Sequence, residues 1–434
     1  LKPGKNIYDT LPVWAQTLVV NAVSARGFRQ KYGEVFHAML ARLEHNERKS
    51  RDELLAEQQE AARRLLRHAV AHVPAYKGRS PEKLEEWPIL DKAAIVAQPE
   101  KFLSDEFDPR RLMELRTSGT TGTPLAVRFP VETHQTEMAF RWRHKAWGGT
   151  PFLSRSAYVA GHPVVPPNQQ RPPFWRWDRF EKRLLCSSYH LTADNLPSYQ
   201  VAFQRYRPDF IHGYPSSLFL LGGYQPKAVF TASETLLDFQ RAAIERNFGA
   251  KVFNWYGNSE LTCNIVECAA GNLHYRTDYG VLELLDDGTM IVTGLNNPAM
   301  PLIRYRVGDR AVAKAGTCSC GCNFPLIERI EGRIEDYVWT PDGRFVGRLD
   351  HLFKDAAHVR EAQIVQTRLD EIVIRVVKEN GFDETPVLAE ARQRLGDSIK
   401  IRFEYVNTIE RAAAGKFRFI VSQLPPEQLE SRRP

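Results

Sequence analysis

Apolar and polar positions along this chain follow two periods, and the switch between them marks out its parts. Up to residue 50 the pattern is mixed, with apolar patches around 11–23 and 35–43 that predict helices. A clearer helix begins at Ser50. Ser50 and Glu53 have the capping-box spacing, and Leu54/Leu55, Ala61/Ala62, Leu65/Leu66, Ala69/Val70 and Val73 recur at helical intervals until Pro74. This helix reads as a packing element without chemistry. Residues 90–105 are less regular. Strand-like runs at 112–116 and 125–129 predict a hairpin, and 132–147 predicts a helix. A strand follows at 157–160. Residues 166–180, with Pro166, Pro167, Pro172, Pro173, Trp175 and Trp177, form an aromatic loop that either lines a pocket or packs.

Helix-like and strand-like pieces then alternate at 196–206, 210–211, 216–221, 228–231, 238–248 and 251–255. Such alternation predicts an α/β sheet with helices on its faces. From Val281 short strands dominate. Runs at 281–285 and 290–293 flank Asp286-Asp287-Gly288, whose glycine suits a tight hairpin turn, and more short strands are expected at 302–305 and 311–314. Beyond Arg333, residues 362–367 and 371–377 alternate like paired strands. Thr385-Pro386 opens a helix as N-cap and first-turn proline, Gly396 closes it, and 401–406 and 417–421 add strands. The fold class is therefore α/β. A large N-terminal domain, 1–332, begins with a helical extension (1–110) and ends in a β-rich subdomain (about 263–332). A small α+β domain, 333–434, follows a polar, glycine-punctuated boundary.

Composition narrows the function classes. The chain has 434 residues, 43% hydrophobic and 26% charged, as ordinary globular proteins do. The apolar run at 18–20 is far too short for a membrane span, and no secretory signal pattern is present, so a cytoplasmic enzyme or binding protein is expected. The net charge of +7 is dispersed through mixed-sign segments such as 44–51 and 328–336. That spread argues against nucleic-acid binding and suits an anionic small molecule. Six cysteines are too few for a disulfide framework at this length. Their clustering in Cys318-Ser319-Cys320-Gly321-Cys322, with Cys263 and Cys268 upstream, points to metal.

Candidate chemistry starts at Thr117-Ser118-Gly119-Thr120-Thr121-Gly122-Thr123-Pro124, where seven of eight residues are Gly, Ser or Thr. Backbone N–H groups freed by glycine and hydroxyl donors suit a phosphate cradle, though a flexible linker has the same composition. No lysine follows the second glycine, so this is not the P-loop pattern. Four motifs follow. In Trp255-Tyr256-Gly257-Asn258-Ser259-Glu260, an acid after a strand suits Mg²⁺ beside phosphates, or is simply a paired surface acid. In Tyr305-Arg306-Val307-Gly308-Asp309, Asp309 suits ribose hydroxyls or a plain turn. Gly332-Arg333-Ile334-Glu335-Asp336 offers Arg333 to ribose or phosphate. Gly415-Lys416 offers a mobile cation, or a solvated lysine.

In this order, over some three hundred residues, the five motifs resemble those of the adenylate-forming superfamily of acyl-CoA synthetases and nonribosomal adenylation domains. Within it the chain is similar to the phenylacetate–CoA ligase and CapK-like branch. The resemblance implies that Thr117–Thr123 hold the ATP phosphates, that Gly257 and Ser259 also bind ATP or AMP, and that Glu260 holds Mg²⁺. It implies that Asp309 binds ribose, with Arg333 assisting, and that Tyr256 stacks near the adenine. Ser233-Glu234 match the segment placed against adenine and acyl group, and Lys416, on a mobile C-terminal domain, bridges carboxylate and α-phosphate. The implied reaction is acyl-adenylate formation with release of pyrophosphate, then transfer to CoA. A transfer to an amine (an amino acid, amine or amino sugar) is the alternative, and a non-catalytic or DNA-binding zinc protein is a third reading that the acid, arginine and lysine oppose. Two departures stand out: Pro124-Leu125-Ala126 replaces the common Pro-Lys-Gly, and Tyr337-Val338 rather than lysine follows Asp336. Similar relatives also carry a Cys…His and Cys-x-Cys pair, here Cys268, His274, Cys318 and Cys320. Three thiolates and an imidazole make a closed, structural zinc site, with Cys263 or Cys322 as substitute ligands. Trp175, Tyr189, His212 and Tyr214 are candidate acid-pocket residues by position.

Overall fold

The structure is a computed structural model that describes residues 5–117, 125–161, 164–166, 168–331, 337–347, 349–353, 356, 358–409 and 419–424. Among these, a twelve-stranded sheet organises the larger part of the chain. One half is parallel. Strand Ser156–Ala160 lies between Arg183–Ser187 and Phe210–Gly213, followed outward by Ala228–Ala232 and Val252–Gly257, all parallel. Ala228–Ala232 is buried at every position, as a strand covered on both faces must be. Helices Leu196–Tyr206 and Asp238–Phe248 cover one face, where Tyr199, Phe203 and Ile244 pack on Val159, Ile211 and Val229. Helices Glu34–Asn46 and Val131–Trp147 cover the other, placing Phe36, Leu43 and Phe140 with Phe210, Phe230 and Phe253. The alternation of strand residues between these cores follows from the two-residue period.

The proline-rich stretch departs from expectation. Its Trp175–Asp178 is an antiparallel edge strand on Arg183–Ser187. An edge tolerates the neighbouring prolines because half of its N–H groups need no ladder partner.

From Val252–Gly257 outward the sheet turns antiparallel, through Asn264–Glu267, Leu273–Tyr275, Leu326–Glu331, Tyr305–Lys314, Thr289–Gly294 and Gly280–Leu284. The hairpin expected around Asp286-Asp287-Gly288 is present, with Gly288 at φ +82° and the Thr289 N–H donating to Asp287 Oδ1 at 2.9 Å. The two short strands expected at 302–305 and 311–314 are instead one ten-residue strand, Tyr305–Lys314. Gly308, at φ +92°, and Asp309 break the alternation without ending the strand. Thr289 faces Arg310 while Ile291 faces Arg306, so a bulge absorbs the surplus residues and re-aims Asp309.

Helix Arg51–His72, capped by the Ser50–Glu53 box, and the pair Met113–Arg116/Ala126–Phe129 close over this half. Leu65, Leu66, Leu125 and Val127 meet Ile265, Val292 and Tyr305 in one core.

A separate four-stranded sheet follows, in the order Lys400–Tyr405, Glu371–Lys378, Val359–Arg368, Ile420–Ser422. Helix Thr385–Leu395 packs on it through Val387, Ala391 and Leu395. Its N-cap is Glu384, not Thr385. Asp383 Oδ1 takes the Thr385 N–H at 2.9 Å, which draws Thr385 into the first turn, while Gly396 closes the helix as expected. Among the described residues no helix is long and apolar enough to cross a membrane.

Candidate active site

Two neighbouring parallel strands, Ala228–Ala232 and Val252–Gly257, stop side by side, with Ala232 opposite Trp255. The chain leaving the first carries Ser233, held at φ +72° in the left-handed region that a non-glycine residue rarely adopts. Glu234 follows, 8% exposed. Its carboxylate accepts from the Ser216 N–H at 3.0 Å and the Ser216 hydroxyl at 2.9 Å, in the first turn of Pro215–Leu218.

The second strand leads into Tyr256, Gly257, Ser259 and Glu260. Tyr256 Oη donates to Asp309 Oδ2 at 2.7 Å, and Tyr305 Oη donates to Glu260 Oε1 at 3.0 Å. The arrangement is reciprocal: each segment reads Tyr-x-x-x-acid, and each tyrosine holds the other segment's acid. Burial, then the negative Asp309, push the Tyr256 phenol far above its ordinary pKa, so it remains a donor. Two half-buried acids are thereby tied to one another's segments, Glu260 just beyond Val252–Gly257 and Asp309 within Tyr305–Lys314. Gly257 and Ser259 are exposed there.

Thr117 sits at the neck of the hairpin that carries the Ser/Thr/Gly loop. Its N–H donates to Leu125 O and its hydroxyl accepts from the Leu125 N–H, both at 2.9 Å. The remaining loop residues, Ser118, Gly119, Thr120, Thr121, Gly122 and Thr123, lie outside the described residues, as do Arg333 and Lys416.

Sequence reasoning missed a cleft between the twelve-stranded sheet and the C-terminal unit. Tyr189, Tyr214, Ser216 and Glu234 line one side, Arg344, Gly347 and Arg394 the other, around a cavity of about 40 Å³. Arg344 donates to Arg394 O at 2.9 Å, Leu395 O at 2.7 Å and Tyr189 O at 3.4 Å, tying the two sides together. A Cβ on Gly347 would stand 2.7 Å from Tyr337 Cε1 and 2.9 Å from Glu234 Oε1, so a larger residue would have to displace the buried Tyr337 ring. No residue type or spacing signalled Arg344 or Arg394; their sole clue was position near the expected boundary. Of the acid-pocket candidates, Tyr189 and Tyr214 line this cleft, while His212 lies on the opposite sheet face against Tyr158. Trp175 does not join them. It sits on the edge strand against Tyr199.

At the antiparallel end, Cys268, His274, Cys318 and Cys320 bring one ligand atom each within 4.8 Å of one another. Cys268 Sγ and Cys318 Sγ are 3.6 Å apart, close to the roughly 3.8 Å edge of a tetrahedral zinc–thiolate site. His274 Nδ1 bonds Phe324 O at 3.3 Å, which turns Nε2 to 3.4 Å from Cys320 Sγ. Burial drops the imidazole pKa to about 4, so the ring is neutral and ready to ligate. Asn272 Nδ2 donates to Cys318 Sγ at 3.3 Å. These donors fit zinc. The substitutes do not join them: Cys263 is buried in the core beside Ile265 and Tyr275, and Cys322 is outside the group of four.

Residues 338–423 match the CapK C-terminal domain. The chain is 26% identical to protein CapK of Staphylococcus aureus, over 79% of this chain and 80% of that one. It is 25% identical to the phenylacetate–coenzyme A ligase of Aromatoleum evansii, over 89% of this chain and 98% of that one. A structure of 2-hydroxyisobutyryl-CoA ligase with 2-HIB-AMP and CoA in the thioesterification state superposes with a TM-score of 0.54. It is 16% identical and covers 89% of this chain and 94% of the other, a likeness that shows the fold.

Proposed function

We propose, from the premise that the chain is a homologue of CapK and of phenylacetate–coenzyme A ligases with the fold of adenylate-forming enzymes, that it activates a carboxylic acid with ATP. The acid oxygen attacks the α-phosphorus, pyrophosphate leaves, and the acyl-adenylate then passes its acyl group to the thiol of CoA. The observation that carries this reading is the reciprocal pair, Tyr256 on Asp309 and Tyr305 on Glu260. It joins two distant motifs into one acidic site at the strand ends, where ligands of open α/β sheets bind.

Each residue then has a task. Residues 117–123 cradle the phosphates through N–H and hydroxyl donors, with Thr117 also fixing the neck of the loop. Glu260 holds Mg²⁺, which supplies neutralisation of phosphate charge. Asp309 accepts from the ribose hydroxyls with Arg333 beside it, Tyr256 packs near the adenine, and Ser233-Glu234 border base and acyl group. Residues 1–332 act as the adenylation domain and 333–434 as a small mobile one that delivers Lys416 to the carboxylate and α-phosphate. Most of the rate enhancement comes from positioning and charge neutralisation. Cys268, His274, Cys318 and Cys320 hold a structural Zn²⁺ that closes the antiparallel end and leaves no open position for catalysis. A second reading of the acceptor, which the CapK-like resemblance raises, is an amine in place of CoA.

Carboxylate-dependent ATP–pyrophosphate exchange over aryl, fatty and amino acids tests the first step. Exchange is expected with at least one acid, and Lys416→Ala should lower it about 10²–10³-fold. Silence with every acid, or full exchange in Lys416→Ala, would overturn the mechanism. Mass spectrometry of the product formed with CoA or with amines then assigns the acceptor.

A further inference from the structure

His134, Arg141 and Lys145 succeed one another on a single face of helix Val131–Trp147. Lys145 is 4% exposed. Its Nζ stands 4.2 Å from the Phe230 ring centroid and 3.4 Å from His212 Nδ1. Among the described residues no carboxylate pairs with it. The acids nearby are engaged elsewhere: Glu137 with Arg141 and Tyr279, both at 2.8 Å, and Glu181 with Lys31, Tyr32 and Arg183. Burial, and then the positive Arg141, drive the Lys145 pKa far down. A buried ammonium without a counter-ion is strongly unfavourable, and a bound anion would remove that penalty.

The position of this amine is informative. Tyr158, His212, Phe230 and Phe253 stand directly opposite one another on four adjacent strands. The row lies two residues before Tyr214, Ala232 and Trp255, where the strands reach the candidate site. One end of the row is open: His212 and Tyr158 are half-buried, and the Arg141 side chain is 53% exposed, while Phe230 and Phe253 are buried. We propose that Lys145 Nζ, with His212 and Arg141, receives a second anionic group of the acid substrate, so that the enzyme activates dicarboxylic acids in preference to apolar monoacids. This rests on the adenylation reading above. Two residues of strand rise separate the row from the strand ends, roughly 7 Å, close to the carboxyl separation of a six-carbon or para-substituted benzene diacid.

The test measures ATP–pyrophosphate exchange by the full chain with matched acids, adipate against hexanoate and terephthalate against 4-methylbenzoate. The diacids should lead in kcat/KM by at least tenfold, and Lys145→Met should reverse the order. Thermal unfolding supplies a second readout. Without acid, Lys145→Met should unfold at a higher temperature than the unaltered chain, and diacid should stabilise only the latter. His212→Asn, at a half-exposed position, should raise KM for the diacids and not for the monoacids. A monoacid preference in the unaltered chain, or an unchanged ratio in Lys145→Met, overturns the proposal. Diacid stabilisation that depends on Lys145 without any exchange would sustain the anion site and sink the adenylation reading. Neither exchange nor stabilisation would sink both.

Discussion

The parallel half of the large sheet sets Ser233 and Glu234 at the place where a strand stops. Ala228–Ala232 is buried throughout, and Ser233 and Glu234 come directly after it. The antiparallel half draws its polar cluster inward: Cys268, Cys318 and Cys320, from the connections before Leu273–Tyr275 and Leu326–Glu331, meet His274 within the first of those strands. In the first region the topology gathers the side chains, and the surrounding core would stand without any one of them. In the second the side chains themselves hold the connections together. Strand Val252–Gly257 belongs to both halves, pairing parallel on one side and antiparallel on the other.

The sharpest way to break this comparison is to remove the metal ligands. Cys318→Ser should reduce bound zinc from about one equivalent to near zero. It should destabilise the protein by several kcal/mol, a fall in Tm on the order of 10 °C. Metal analysis of protein purified without chelators, together with thermal unfolding, checks this. Metal near zero in the unaltered protein would make the cluster a set of thiols.

A pH titration separates the halves on a smaller scale. His134, on the helix covering the parallel half, has its pKa pulled down to about 4, first by burial and then by Arg141 and Lys31. The unfolded chain binds that proton near pH 6.5, so between pH 6.5 and 4 the unfolded state carries more protons. Stability therefore holds above pH 6.5 and falls as pH drops towards 4, by about 3 kcal/mol from this group. Urea unfolding of His134→Gln should show a shallower loss over that window. A slope equal to that of the unaltered protein would remove His134 as its source.

The contrast between the halves also explains what the sequence made legible. Helices 196–206 and 238–248 match their observed bounds because the 3.6-residue period, Pro197 in the first turn of one and Gly249 after the last turn of the other are local signals. The cysteine pairs were legible for a similar reason, as residue types at short spacing. Strand Tyr305–Lys314 was read as two because a bulge interrupts alternation just as a turn does. Lys145 was invisible: a lysine in a mixed helix looks solvated until Phe230 and His212 are brought against it. The acids Glu260 and Asp309 were found from their motifs, but their tyrosine partners lie 45 and 53 residues away and no local pattern couples them.

Ser216→Ala tests the parallel half's strand ends at moderate cost. It removes one of the donors to buried Glu234, which the N–H of residue 216 would still hold. A loss of about 1–2 kcal/mol is expected, with a raised KM for ATP if Glu234 borders the adenine. An unchanged KM with lowered stability would confine Glu234 to a structural role.

The smallest expected effect bears on the strand where the two halves join. Tyr256→Phe and Tyr305→Phe each delete one hydroxyl, and each leaves an acid without its donor at 2.7 or 3.0 Å. Each single change should cost about 1 kcal/mol of stability or less, since Asp309 and Glu260 are only half-buried and water replaces the lost donor. Their kinetic signatures should differ: freeing Glu260 alters the Mg²⁺ dependence of exchange, whereas freeing Asp309 alters KM for ATP. If the acids act on one nucleotide, the double variant should depart from the sum of the two singles in kcat/KM while its stability stays additive. Additivity in both would mean that the reciprocal bonds merely staple two strands, and that the site seen at the end of Val252–Gly257 belongs to the architecture of the antiparallel half.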